Sequence, residues 1–89
     1  MPEVWIPPKL QQLTAGKQQV QVEGKTVRQV INSLEREYPG MKEFLCDEEE
    51  EDLFPGVAVI VDGETSQLGM LQKVQENSEV HFLPALGGG

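Results

Sequence analysis

The chain has 89 residues, 38% of them hydrophobic, and a net charge of −8 from 15 acidic and 7 basic side chains. That length makes one small domain with a single modest core, too apolar to be read as disordered. No apolar run approaches a membrane span, the start lacks a basic-then-apolar leader, and the lone cysteine forms no internal disulfide. The expectation is therefore a cytoplasmic protein without a membrane partner. Six of the acids form one run, Asp47-Glu48-Glu49-Glu50-Glu51-Asp52, and the remaining nine face seven bases. The acidity is local. It excludes the basic footprint that nucleic-acid binding requires. The run reads first as a solvated loop and second as a feature that steers a basic partner.

In chain order, Val4-Trp5-Ile6 reads as a first strand stopped by Pro7-Pro8. Lys9 to Lys17 reads as a connecting loop. Gln18 to Glu23 alternates at period two, which puts Val20 and Val22 on one face of a half-buried strand closed by Gly24. Thr26 then caps a helix, with Gln29 at the position of a capping-box partner. Val27, Val30, Ile31, Leu34 and Tyr38 make one apolar stripe at helical spacing, and Pro39-Gly40 ends it.

Met41 to Leu45 reads as a short helical turn before the acids, and Leu53-Phe54-Pro55-Gly56 brings the chain back. Val57-Ala58-Val59-Ile60-Val61 is β-branched enough for a buried strand, and Asp62-Gly63 signals a tight turn. Leu68 to Val74 reads as a loop with apolar anchors and room for one helical turn, and Glu79 to Leu83 as the last strand, stopped by Pro84. One helix among four strands must cover one face of a mixed sheet, with the first and last strands side by side in the middle. The fold class is α+β, a β-grasp or ubiquitin-like domain over 1–84, followed by a flexible tail, 85–89.

That tail, Ala85-Leu86-Gly87-Gly88-Gly89, is the most informative stretch. Bare glycines fit a narrow tunnel that any Cβ would block. The bland alternative is a frayed end or a leftover linker. At the extended-chain limit five residues reach roughly 17 Å past the strand, and Pro84 stiffens the exit. Alternation places Val80 and Phe82 inward, hence Glu79, His81 and Leu83 outward. With Val4 and Ile6 inward, Trp5 points outward on the neighbouring strand. Trp5, His81 and Leu83 are thus candidates for an exposed docking patch beside the tail, Trp5 as an aromatic anchor or merely as cover for the sheet edge.

Gly24-Lys25-Thr26-Val27, the helix end Leu34-Glu35-Arg36-Glu37-Tyr38-Pro39-Gly40 and the closing Val80-His81-Phe82-Leu83-Pro84-Ala85-Leu86-Gly87-Gly88-Gly89 resemble the MoaD/ThiS family of prokaryotic sulfur carriers. The resemblance spans nearly the whole chain. It implies that an activating enzyme adenylates the terminal Gly-Gly carboxylate with ATP and that the product becomes a thiocarboxylate for biosynthesis. Gly88 and Gly89 take the place of the paired glycines, and Gly89 would carry the sulfur. Gly87 departs from the family's more usual alanine or threonine, and Glu76-Asn77-Ser78-Glu79 replaces its usual Gly-Asp pair. The resemblance supports Leu83 as a docking residue more than Trp5 or His81. It also implies a co-substrate with no catalytic residue and no bound cofactor, ATP being used by the partner.

The Ile6-Pro7 opening, the helix-to-strand spacing and the Leu45-to-Asp47 region resemble the carrier serving cysteine synthesis from O-phosphoserine, whose acceptor is a PLP-dependent synthase. The small subunit of molybdopterin synthase, which pairs with a large subunit, matches nearly as well at the tail, and the thiamine carrier is usually shorter. Other classes remain open: a ubiquitin-like modifier attached through Gly89 to lysines, or an interaction domain with an inert tail. Cys46 precedes the acidic run, where negative charge disfavours a thiolate, and reads as structural rather than redox-active. His81 is the only histidine and no cysteine pair exists, so neither a metal site nor a triad is expected.

Overall fold

The apolar stripe at helical spacing becomes α1, Val27–Glu37, and its Val27, Val30, Ile31 and Leu34 side chains are fully buried. The structure, a computed structural model, describes residues 1–46, 52–53 and 57–83. The helix starts as its sequence dictates: Thr26 is extended at φ −138° and its hydroxyl accepts the Gln29 amide at 3.2 Å. The reciprocal half of the capping box is displaced by one residue, because Gln29 Oε1 accepts the Lys25 N–H at 2.9 Å rather than that of Thr26. Pro39 ends the helix. Glu35 then reaches forward, its carboxylate accepting the amides of Gly40 at 3.2 Å and Lys42 at 2.9 Å, which starts α2, Met41–Leu45.

The strands are β1 (Glu3–Trp5), β2 (Gln19–Gln21), β3 (Ala58–Val61), β4 (Glu64–Thr65) and β5 (Glu79–Leu83). They form one sheet in the order β2-β1-β5-β3-β4. β1 and β5 run parallel at its centre, with Val4 beside Val80, and the other neighbours are antiparallel. This is the β-grasp arrangement expected from element order. Val4, Val20, Val59, Val61, Val80 and Phe82 line the covered face and pack with the α1 stripe, Met41 and Leu45.

Three segments differ from the sequence reading. Lys9 to Lys17 is not an open loop, for Pro8–Thr14 forms a 3-10 helix. Pro8 presets the backbone of its first turn, Leu10 is buried, and the buried Thr14 hydroxyl donates to the Lys17 carbonyl at 2.8 Å. β4 was not anticipated, because two residues carry no periodicity. It exists because Asp62 (φ 51°) and Gly63 (φ 85°) both take the left-handed conformations of a two-residue hairpin turn, which pairs Val61 with Glu64. β3 is not buried on both faces: Val59 and Val61 are buried, whereas Ala58 and Ile60 are half-exposed on the uncovered side. The turn within Leu68 to Val74 is a 3-10 helix, Gly69–Leu71, anchored by buried Met70 and Val74.

Gly24 is required for close approach. A Cβ there would lie 2.7 Å from Val30 Cγ2 and 2.8 Å from the Val30 amide nitrogen. Gly24→Ala forces β2 and α1 apart, and chemical denaturation should show about 1–3 kcal/mol of lost stability, the scale of overpacking. An unchanged midpoint would mean that this junction gives way freely.

The turn that departs from the resembled family is also built into the fold. Ser78 is buried; its hydroxyl accepts the Gln75 amide at 2.9 Å and donates to Asp62 Oδ2 at 2.7 Å. Asp62 Oδ1 accepts the Glu79 amide at 3.0 Å, so one carboxylate ties the β3–β4 hairpin to the start of β5. Chiefly that backbone hydrogen bond, then the Ser78 bond, holds the Asp62 carboxyl below its ordinary value against a small opposing desolvation. A depressed folded-state pKa stabilises the fold above the unfolded value, and that contribution is lost as pH falls through the folded one. Stability should therefore drop below about pH 4, and Asp62→Asn should flatten that part of the profile in denaturation curves. A drop as steep in the variant would assign it to other carboxylates.

Candidate functional site: the open face of the sheet

The two helices cover one face of the sheet, and β5 at its centre sets what the other face offers. Glu79 and Leu83 are exposed and His81 is half-exposed, while Val80 and Phe82 are buried. β1 repeats the pattern, with Val4 buried and Trp5 half-exposed. The parallel register sets Trp5 directly beside His81. Their rings stack with centroids 5.0 Å apart and planes 11° from parallel. An offset stack of this kind fixes both side chains flat on the sheet.

The antiparallel register of β3 sets Ile60 beside His81 and Ala58 beside Leu83. Trp5, His81 and Ile60 thus form one row across the open face, and Leu83 and Ala58 the next row toward the tail. Leu83 is 51% exposed, one of few large apolar side chains left so open. The sequence reading had Trp5, His81 and Leu83 outward, and the structure brings them together. It missed Ile60 and Ala58, whose position was legible only from the parity of β3 once Val59 and Val61 are known to point inward.

The electrostatics of the patch are light. His81 Nε2 lies 3.8 Å from Glu79 Oε2, a contact that becomes an ion pair only when the imidazole is protonated. Trp5 Nε1 is buried and finds no acceptor among the described residues, so the indole presents its ring rather than its donor. No group of histidine, cysteine and carboxylate side chains able to hold a metal occurs among the described residues. Cys46 is buried at 1% exposure, where its backbone bridges Leu53. No described helix is long and apolar enough to cross a membrane. Gly87, Gly88 and Gly89, with Pro84 and the acidic residues 47–51, lie outside the described residues.

The family model described as ThiS matches residues 4–89. The chain belongs to the ThiS family. It is accordingly a sulfur carrier of the ThiS/MoaD type. Among solved structures, one similar chain is in the BexX/CysO complex of Amycolatopsis orientalis, at 31% identity over 100% of both chains with a TM-score of 0.90. CysO of Mycobacterium tuberculosis is 30% identical over 97% of this chain and 100% of its own, with a TM-score of 0.89. Small archaeal modifier protein 1 of Methanosarcina acetivorans reaches a TM-score of 0.83 at 22% identity, covering 99% of this chain and 95% of its own, which shows a shared fold and nothing more. No curated protein matches the chain.

Proposed function

We propose that this ThiS-family protein carries sulfur as a thiocarboxylate on Gly89 and delivers it to the synthesis of cysteine. A carboxylate is a poor acyl donor. Attack of the Gly89 carboxylate on the α-phosphorus of ATP expels pyrophosphate and leaves an acyl-adenylate, whose AMP a sulfur nucleophile then displaces. Beyond that terminal carboxylate the carrier contributes no side chain to these steps, so an activating partner must provide positioning and charge stabilisation. The observation that carries the reading is the full-length similarity to CysO proteins at 30–31% identity. The complex of BexX with CysO supports a partner that grips such a chain.

Trp5, His81 and Leu83 are proposed as the docking residues, joined by Ile60 and Ala58, with the partner's tunnel receiving Gly87 to Gly89. The patch suits that role because it flanks the strand that leads into the tail and is rigid through the Trp5–His81 stack. The pathway is tested by adding sulfur-loaded protein to host extract with O-phosphoserine or with the molybdopterin precursor. Cysteine formed from O-phosphoserine in proportion to carrier supports the reading. Turnover of only the molybdopterin precursor would move the protein to that synthase, and isopeptide adducts on lysines would make it a modifier.

A further inference from the structure

We infer that this protein self-associates edge to edge through β2, two copies joining their sheets in an antiparallel register centred on Val20. β2 is an edge strand, bonded only to β1. The Ile6 amide donates to the Gln18 carbonyl at 2.8 Å, and the Val22 amide to the Pro2 carbonyl at 3.3 Å, so even-numbered residues of this segment turn their backbone groups toward β1. Alternation then turns the N–H and C=O groups of Gln19 and Gln21 outward. Edge strands are guarded by being very short, by charge, by proline or by a bulge. β2 is short, at three residues, but 18–22 reads Gln-Gln-Val-Gln-Val, with no charge, proline or bulge.

Three requirements meet in one register. A two-fold axis at Val20 sets Gln19 opposite Gln21 of the second copy, and both belong to the outward-facing set that an antiparallel pair must bond. The same axis sets Lys17 opposite Glu23 at each end, so opposite charges close the pair. Lys17, Gln19, Gln21 and Glu23 are all exposed. Shifting the register by two residues loses the charge match, and shifting by one sets outward groups against inward ones. The Lys17 backbone already bonds Thr14, and the Glu23 carbonyl accepts the Ser33 hydroxyl at 2.7 Å. Lys17 and Glu23 therefore contribute side chains only, and the backbone ladder is confined to Gln19 and Gln21.

Such a contact is far smaller than a standard interface, which makes the pair weak and reversible. A two-fold axis normal to the sheet keeps both open faces on one side and sends the two β5 strands in opposite directions. Both docking patches stay uncovered, so pairing is compatible with the proposed sulfur transfer without being needed for it.

Sedimentation velocity and amide NMR on the full chain, up to about 1 mM at about 0.15 M salt to screen the net charge, test the inference. The expected result is a mass rising toward the dimer, with concentration-dependent shifts concentrated at the Gln19 and Gln21 amides. Lys17→Glu should weaken association roughly 3- to 10-fold, and the double variant Lys17→Glu/Glu23→Lys should restore it. Both sites are exposed, and unchanged amide spectra in dilute solution check that the variants fold. A monomer at every concentration, association indifferent to the charge swap, or shifts centred on Trp5 and His81 would each overturn it.

Discussion

A protein cut after Gly87 should fold normally and carry no sulfur. Among the described residues the buried core ends at Phe82, so loss of the last two glycines should change stability by no more than about 0.5 kcal/mol. The chemistry has no such tolerance. Adenylation requires a carboxylate at one place in the partner's site, and the shortened chain presents its own about 7 Å short of it. Loading with ATP and sulfide, read by intact mass, should fall below detection. Gly89→Ala keeps the length but adds a Cβ beside the reacting carbon, and a misplacement of about 1 Å there costs on the order of 100-fold in rate. Full loading of the truncated protein would show that the reactive group lies elsewhere in the chain.

The second large effect concerns the open face. Leu83 is exposed and at the edge of the patch, so Leu83→Asp removes little packing and places a charge where an apolar partner surface must close. The activating partner's KM for the carrier should rise roughly 30-fold or more, with kcat little changed, because uniform binding is lost and the carboxylate still arrives where it did. Trp5→Ala should act in the same direction but also lower stability, since the stacked His81 ring loses its support. Glu64→Ala, on the far edge strand, should do neither. Steady-state kinetics with each variant as substrate, alongside its denaturation midpoint, separates docking from folding. If Leu83→Asp lowered kcat and left KM alone, the patch would be orienting the tail rather than binding the partner.

Much of this was legible in the residues because local and global signals agree. Thr26, the Val27-to-Leu34 stripe and Pro39 each specify the same helix, and only its capping partner moved by one residue, to Lys25. Val80 and Phe82 fixed the parity of β5, from which the outward set followed. The central pairing of β1 with β5 came from counting strands around one helix. The misses have physical causes. The Pro8–Thr14 helix has no amphipathic repeat and is held by a buried hydroxyl, which sequence alone does not announce. β4 exists through its turn rather than through its own residues. Ile60 and Ala58 were hidden because a β-branched strand looks the same whether one face or both are covered. Ser78 was read as a departure from the family and proves to be buried, hydrogen-bonded to the carboxylate that secures the last strand.

The central claim is that Gly89 carries sulfur, and the intact mass of untagged protein from its native host tests it most directly. The measurement is made on the Cys46→Ser variant, with and without an alkylating agent. The account predicts a species in which one sulfur replaces one oxygen, and which takes up a single alkyl group at Gly89. Only the plain carboxylate, persisting after incubation with ATP, sulfide and host extract, would contradict it.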